Sequence, residues 1–201
     1  MGKQNGFGTG LRQLRKQAGM TLAQLSKASN ISTANISKAE NGKISPTYDV
    51  LEKLARGLGI TLSELVSADQ RTAANDLPAT ARISIDQGAY PAPISSSQYD
   101  YIYLSTDLKS KQMVPIIMRL KANSIETFGE LITHGGEEFV YVLQGSIEVH
   151  TEHYQPKKLR RGDSMYLDSR MGHGFIQSGK RSAEILTVAT EPALPDGREI
   201  H

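Results

Sequence analysis

The sequence has 201 residues, the length of one or two domains. Its 23 Lys and Arg residues against 21 Asp and Glu residues give a net charge of +2, and 38% of residues are hydrophobic, as in folded proteins. The absence of cysteine excludes disulfides, thiolate zinc sites and cysteine nucleophiles. No apolar run approaches the roughly 20 residues that span a bilayer, and the N-terminal segment lacks a secretory apolar core. We therefore expect a cytoplasmic protein without a membrane partner.

The charge is unevenly distributed along the chain. Residues 1–70 contain nine basic and five acidic side chains, a net charge of +4, whereas the remaining residues contain 14 and 16, a net charge of −2. A basic N-terminal part favours a polyanionic partner for that part alone. Ordinary variation of surface charge is the alternative.

Residues 9–67 carry apolar side chains at helical spacing. Thr21–Gln24 and Thr61–Glu64 match the capping box, and Ser45 before Pro46 is typical of a cap followed by the first helical residue. Glycines at 19, 42 and 59 separate the helices. The pattern predicts five short helices, near 10–18, 21–28, 32–40, 46–57 and 61–67.

The pattern changes after this helical part. Residues 68–80 lack an apolar stripe and are predicted to be a linker. From Arg82 onward, short alternating segments and glycine turns are typical of a sandwich or barrel. The predicted strands are 99–103, 114–121, 138–143, 146–151, 164–167, 174–177 and 183–189.

The second and third predicted helices are separated by a turn of helix-turn-helix length, residues 29–31. Asn30 tolerates the left-handed conformation that such a turn requires, and Ser32 is expected to cap the third helix. Helical spacing places Ile36 and Ala39 toward the core. The other face carries Thr33, Ala34, Asn35 and Lys38. The short polar side chains and the lysine on this face suit base edges and phosphates.

The segment from Leu11 to Val66, above all TLAQLSKASNISTANISKAENGKISPTYDVLEKLARGLGI, resembles the Xre/Cro family of helix-turn-helix repressors. The resemblance implies a five-helix, lambda-repressor-like DNA-binding domain that binds as a dimer to two-fold sites. It also implies that the third helix enters the major groove and that phosphate is contacted by Gln24 and the loop from Asn41 to Lys43. The implied DNA-binding residues are Gln24, Ser32, Thr33, Ala34, Asn35, Lys38, Asn41 and Lys43. Some members of this fold do not bind DNA, which is the alternative.

A candidate metal site lies in the strand-rich part. His134 and Glu138 are four residues apart across a Gly-Gly turn, and His173 belongs to a distant strand. Glu138, Val140 and Val142 share one face of their predicted strand. Two imidazoles and one carboxylate can hold one divalent ion, Fe, Zn, Ni or Mn. The alternative is a hydrogen bond between His134 and Glu138 in an empty or organic-ligand pocket.

The segments HGGEEFVYVLQG and RRGDSMYLDSRMGHGF resemble the two motifs of the cupin family, which implies an all-β jelly-roll barrel. His134, Glu138 and Gly145 match the first motif, and Gly162 and His173 match the second. Three of the four family ligands are present. The sequence departs from the family pattern at Ile132, where a histidine is usual, and at Asp168, Arg170 and Gln177.

Tyr101 and Tyr103 are two apart on one predicted strand and project from the same face. We expect them to line the barrel mouth and hydrogen-bond a polar effector, with Val140, Val142 and Gln177 completing the pocket. Packing of both tyrosines in the core is the alternative.

The two resemblances together imply a multidomain α + β regulator: a DNA-binding domain over 1–67, a linker over 68–80, and a cupin domain for effector sensing and dimerisation over 81–201. This predicts a homodimeric repressor whose operator affinity responds to a small molecule. The same domain order also resembles the fosfomycin-type epoxidases, non-haem iron enzymes. Those enzymes carry a lysine where this sequence has Gly19, which favours the regulator. A third interpretation is a vestigial cupin that serves only as a dimer interface.

Overall fold

The computed structural model describes residues 6–68, 83–88, 90–108 and 111–190. They group into two compact units, one built mainly of helices and the other of strands, as the predicted α + β organisation requires. The predicted linker over 68–80, Ala68 excepted, and the predicted boundary at residue 81 fall outside the described residues. Within the described ranges, no helix combines the length and the apolar character needed to cross a membrane.

The helical unit contains the five predicted helices. Both predicted capping boxes are present, at Thr21–Gln24 and Thr61–Glu64. The fully buried side chains that hold the helices together are Leu11, Leu25, Ile36, Leu51, Leu54 and Leu65. The bounds are α1 Gly6–Gln17, α2 Leu22–Ser29, α3 Thr33–Glu40, α4 Tyr48–Leu58 and α5 Leu62–Val66.

Two helix starts differ from the prediction. Helix α1 begins at Gly6, four residues early, because its glycines serve close packing rather than helix breaking: a Cβ on Gly8 would stand 2.6 Å from the carbonyl oxygen of Ala39. The predicted cap of α4 at Ser45 is wrong. The residue at the N-cap position is Thr47, whose backbone is extended, with φ −74° and ψ 167°. Its hydroxyl donates a hydrogen bond to the carboxylate of Asp49 and makes none with the backbone of the helix.

The strand-rich unit is a two-sheet sandwich of antiparallel pairs. Six strands form one sheet in the order β1-β2-β3-β9-β4-β7, and three form the other in the order β6-β5-β8. All seven predicted strands are confirmed. The bounds are β1 Ile94–Ser95, β2 Tyr99–Tyr103, β3 Met113–Leu120, α6 Ile125–Phe128, β4 Glu137–Gln144, β5 Ser146–Thr151, β6 Lys157–Arg160, β7 Ser164–Asp168, β8 His173–Gln177 and β9 Glu184–Thr190.

Three short elements escaped prediction: β1, α6 and β6. Strand β6 has the sequence KKLR, in which only Leu159 is partly buried. It therefore shows no alternation of apolar and polar residues, and charged short strands of this kind are typical of sheet edges.

Strand register arranges the inner face of the six-stranded sheet in three rows. The first row carries Glu138, and the second and third carry Val140 and Val142, both fully buried. The carboxylate therefore stands at one end of an otherwise apolar interior. The rows are Val114, Ala189, Glu138 and Leu167; then Tyr103, Ile116, Thr187, Val140 and Met165; then Tyr101, Met118, Ile185 and Val142.

Candidate nucleic-acid interface and metal centre

The turn before α3 has the local chemistry that the sequence predicts. Asn30 adopts the left-handed conformation, with φ 57° and ψ 27°, and ends α2. Ser32 is the N-cap of α3, and its hydroxyl accepts a hydrogen bond from the backbone N–H of Asn35 at 3.2 Å. The turn and the cap together fix where α3 begins.

Helix α3 has one buried and one exposed face. Ile36 is fully buried and Ala39 is 3% exposed, so both contribute to the core. The predicted groove-facing side chains are all exposed, and the hydroxyl of Ser32 stands at the start of the same face. These residues are Ser32, Thr33, Ala34, Asn35 and Lys38.

The three predicted phosphate contacts outside α3 differ in how free their side chains are. Gln24 is exposed, and its amide oxygen accepts hydrogen bonds from Thr21 at 2.8 and 2.9 Å, which leaves its NH₂ group to solvent. Lys43 is exposed. Asn41, by contrast, donates to the carbonyl of Ser37 and accepts from Arg12, both at 2.7 Å, so both ends of its side chain are used within the fold.

A buried ion pair at the end of α3 was missed by the sequence analysis. Glu40, whose side chain is 2% exposed, accepts hydrogen bonds from Arg15 at 2.6 and 2.9 Å and from Arg12 at 3.3 Å. The hydrogen bond with Glu40 raises the pKa of Arg15. The available signal was an acidic residue at the C-terminal end of a helix, where the helix dipole disfavours it and a cationic partner is expected.

The three predicted metal ligands come together. The buried His134, Glu138 and His173 place one ligand atom each within 4.8 Å of one another. Oε2 of Glu138 lies 3.3 Å from Nε2 of His173 and 3.7 Å from Nε2 of His134. Two ligands about 2.1 Å from a tetrahedral ion stand about 3.4 Å apart, so the observed spacing fits a bound transition metal.

The backbone orients both imidazoles. Nδ1 of His134 lies 3.1 Å from the carbonyl oxygen of Gly135, and Nδ1 of His173 lies 2.8 Å from that of Met171. With a metal bound, each Nδ1–H would donate to its carbonyl and each Nε2 lone pair would bind the metal, the usual arrangement of metal-bound histidines. Oε2 of Glu138 is buried without hydrogen-bond geometry to either ring in the described part of the chain, which is typical of atoms that converge on an ion.

Burial of Glu138 would raise the pKa of its carboxyl group, but the two imidazoles outweigh burial and lower that pKa to about 2. Glu138 is therefore an anion at neutral pH. One carboxylate and two imidazole nitrogens form the donor set that divalent Fe, Zn, Ni and Mn accept.

Two backbone features place His134. Its N–H donates to the carbonyl of Ser169 at 3.0 Å, and Ile132 forms an isolated antiparallel bridge with His173. Gly136 then turns the chain into β4 with φ +83°, and a Cβ there would stand 2.4 Å from the hydroxyl oxygen of Thr190. Only glycine fits this close approach without displacing the loop that carries His134.

The predicted effector residues occupy two different places. Tyr101 and Tyr103 are 1% and 4% exposed, and their rings stack at 6.4 Å inside the sandwich. Gln177 lies at the opposite end of β8 from His173, about 13 Å along the strand. Its amide oxygen accepts from the N–H of Ala183, so it holds the β8–β9 turn. The effector role of these residues therefore stays a prediction.

Comparison with known proteins agrees with this geometry. A helix-turn-helix family model matches residues 11–65, and a cupin domain model matches residues 120–189. The chain joins an Xre-type helix-turn-helix domain to a cupin domain. Helices α1–α5 belong to the first domain, and strands β3–β9 lie within or overlap the second match.

Relatives align with nearly the whole chain. The HTH-type transcriptional regulator PuuR of Escherichia coli (strain K12) is 26% identical over 183 residues, 91% of this chain and 94% of that protein, and PuuR of Shigella flexneri gives the same values. A crystal structure of an HTH_3 family transcriptional regulator from Vibrio cholerae has a TM-score of 0.59 at 20% identity, covering 94% and 96% of the two chains. That likeness shows a common fold.

In the cupin domain, Ile132 occupies the position where the family usually has a histidine. Ile132 pairs with His173 through two backbone hydrogen bonds of 2.9 and 3.0 Å. Its role at this position is therefore to hold the strand that carries a predicted ligand. The described residues of the cupin domain offer three candidate metal donors.

Proposed function

We propose that this protein is a cytoplasmic, sequence-specific DNA-binding transcription regulator, acting as a repressor, whose cupin domain binds a small-molecule effector that alters operator affinity. The observation that carries the proposal is the exposed polar face of α3, from Ser32 to Asn35 with Lys38, opposite a fully buried Ile36. A helix with this division presents short hydrogen-bonding groups to base edges while its apolar side keeps it fixed.

The relatives support the regulatory part. PuuR carries the name of an HTH-type transcriptional regulator and aligns over both domains of this chain. The donors on the α3 face also support DNA recognition, because neither the hydroxyl group of Thr33 nor the ammonium group of Lys38 makes a hydrogen bond within the described residues. Lys43 and the NH₂ group of Gln24 supply further donors for phosphate.

DNA binding is tested on the full-length protein with a duplex from the region upstream of its own gene. Affinity should fall by roughly 10³ or more between 50 and 200 mM salt if six or more phosphates are contacted. Asn35→Ala should weaken binding to the footprinted site by about tenfold or more while binding to random duplex stays unchanged. Lys53→Ala, on the exposed surface of α4, is the matched control. A flat salt titration without a footprint would remove DNA binding from the proposal.

We further propose that the protein acts as a homodimer, because an operator with two-fold symmetry requires two reading helices. The outer face of the six-stranded sheet fits a second copy of the chain. Phe139 and Tyr141 are 40% and 38% exposed on β4, and their cross-strand neighbours Val188 and Leu186 are half-buried beside them. Contiguous exposed aromatic surface of this kind marks interaction sites.

The charges beside this face are already paired within the chain, which allows a second copy to approach. Arg119 at the border of this face binds Glu184 at 3.0 Å, so two copies would meet without uncompensated repulsion. Phe139→Lys combined with Tyr141→Lys should yield a monomer by sedimentation, whereas Tyr90→Lys, at another exposed aromatic residue, should not. A wild-type monomer at micromolar concentration would contradict the proposal.

We propose that His134, Glu138 and His173 hold one divalent transition metal. When bound, such an ion supplies a Lewis-acidic position to which an oxygen or nitrogen atom of the effector can bind. The chain's own residues orient both imidazoles through the carbonyls of Gly135 and Met171 and keep the carboxylate ionised.

The second candidate function, a non-haem iron oxidoreductase, is favoured by this same two-histidine, one-carboxylate cluster. Oxygen consumption by the iron-loaded protein in step with a phosphonate would favour the enzyme over the regulator.

A further inference from the structure

A cleft of about 500 Å³ opens between β6 and β7. These are the edge strands of the two sheets, so no further strand of the described residues closes the sandwich on this side. Its wall is mainly apolar, and its volume falls within the range of small-molecule sites, about 300–1,000 Å³. The apolar side chains of this β6–β7 cleft are Val149, Leu159, Met165, Leu167 and Met171.

The β6–β7 cleft reaches the neighbourhood of the candidate metal centre. Leu167, on its wall, is the cross-strand partner of Glu138, and Thr151, also on its wall, is the partner of His173. Directly opposed residues have Cβ atoms about 4.5–5.5 Å apart. A molecule in the cleft would therefore lie against the strands that carry two of the three predicted ligands.

The rim of the cleft combines aromatic and charged groups. Tyr154 and Tyr166 are 68% and 62% exposed and lie at the opening. The carboxylate of Asp168 is already bound by Arg170. Lys157 lies on the same rim, is exposed, and has no ion pair within the part of the chain that the structure describes. The rim thus offers one free cation above an apolar wall.

We propose that the β6–β7 cleft is the effector site and that it takes a small molecule with an aromatic or branched apolar body and one anionic group. The body contacts the two flexible methionine side chains, Met165 and Met171, which adapt to irregular shapes. The anion binds the ammonium group of Lys157. This assignment rests on the proposed function only in that the cupin domain binds an effector. It differs from the predicted pocket at Tyr101 and Tyr103, which are buried away from this opening.

The probe for this chemistry is 1-anilinonaphthalene-8-sulfonate, which joins an aromatic body to one sulfonate, and its neutral analogue is N-phenyl-1-naphthylamine. Binding is followed on the full-length chain, without DNA, by the ¹³C-methyl signals of its methionines. We expect saturable shifts of Met165 and Met171, while Met113, which is 62% exposed and lies outside the cleft, stays unchanged. Equal shifts at Met113, or none at Met165 and Met171, would overturn the assignment.

Lys157→Gln should weaken binding of the sulfonate by about fivefold, as expected for loss of one exposed ion pair, and should leave binding of the neutral analogue unchanged. The matched control is Lys158→Gln, because Lys158 is the next residue on β6 and faces Glu148 at 3.9 Å. The same weakening in both variants, or none in Lys157→Gln, would overturn the role of Lys157. Because DNA binding is measured separately, its failure would reject the regulator while leaving the cleft assignment standing, and the converse also holds.

Discussion

The carboxylate of Glu40 accepts two hydrogen bonds from the guanidinium of Arg15, at 2.6 and 2.9 Å, and only 2% of the Glu40 side chain is exposed. Glu40 is the last residue of α3, and Arg15 belongs to the last turn of α1. Arg15 also donates to the carbonyl of Met20 at 2.8 Å, in the turn before α2. This one guanidinium therefore joins three segments around the proposed reading helix.

Arg15→Met should lower the free energy of unfolding of the helical domain by about 3 kcal/mol, because it leaves the carboxylate of Glu40 buried without its main partner. Urea denaturation followed by the helical signal measures the loss. Lys53→Met is the matched control, since its ion pair with Asp49 is largely exposed and should contribute under about 1 kcal/mol. Similar losses in the two variants would contradict a structural role for the buried pair.

The sign of the stability change in Gly8→Ala tests the close contact between α1 and α3. Helix propensity alone would stabilise the alanine variant by about 1 kcal/mol. The added Cβ would, however, stand 2.6 Å from the carbonyl oxygen of Ala39 and 2.9 Å from that of Glu40. We expect a net loss of about 1–3 kcal/mol and weaker operator binding, measured by thermal unfolding and by DNA titration. Thr9→Ala, at the exposed neighbouring position, should leave both unchanged; a stabilised Gly8→Ala protein would refute the contact.

The parts of the fold that could be predicted from the sequence are those fixed by interactions between residues close together in the chain. Thr21 and Thr61 cap their helices through residues three positions away, and Asn30 turns the chain by its own backbone preference. The Arg15–Glu40 pair and the Gly8 contact join residues 25 or more positions apart, and no local pattern specifies such partners. The Ser45 cap failed for a related reason: Pro46 and Tyr48 are buried, so tertiary packing sets the start of α4.

The candidate metal cluster was predictable because residue spacing and family resemblance both pointed to it, and the structure brings the three side chains together. The β6–β7 cleft was not predictable. Lys157 and Leu159 belong to a strand without apolar alternation, and the opening depends on which strands end each sheet. Period-two spacing placed Tyr101 and Tyr103 on one face of β2 correctly, and both are buried. Spacing alone does not reveal whether such a face lines a ligand pocket or packs in the core, so the effector pocket stays a prediction.

His173→Ala and Glu138→Gln should each lower affinity for Zn(II) or Co(II) by at least about tenfold, since even the outer partners of metal ligands contribute this much. Metal content after dialysis against a metal buffer measures the change. His150→Ala is the matched control, because His150 also pairs with a carboxylate, Glu148 at 2.7 Å, but lies outside the cluster. Metal retention by both ligand variants would reject the site.

Protonation of Asp100 should make the strand-rich unit less stable at acidic pH. Partial burial would raise the pKa of its carboxyl group, but hydrogen bonds from Ser95 and Lys121 outweigh burial and hold that pKa below its ordinary value. A lowered folded-state pKa gives stability that is present above the unfolded pKa, about 3.9, and lost as pH falls through the folded value. Asp100→Asn should cost up to about 1 kcal/mol at pH 7. The difference from wild type should shrink toward pH 2.5 in urea titrations; a constant difference would contradict the assignment.

Gly136 and Gly129 separate backbone strain from steric contact near the candidate metal centre. Both have positive φ, +83° and +86°, which L residues rarely adopt, so alanine carries a conformational cost at either position. A Cβ at Gly129 meets nothing within 4 Å, whereas one at Gly136 would stand 2.4 Å from the Thr190 hydroxyl oxygen and 2.6 Å from its carbonyl oxygen. The steric contact in Gly136→Ala should therefore destabilise the cupin domain by about 1–3 kcal/mol in addition to its conformational cost, whereas Gly129→Ala carries the conformational cost alone. Because Gly136 ends the loop that carries His134, Gly136→Ala should also weaken Co(II) binding. This change should be visible in the ligand-field spectrum of Co(II), whereas Gly129→Ala should keep the wild-type spectrum. Equal stability losses with identical Co(II) spectra would show that the turn does not position His134.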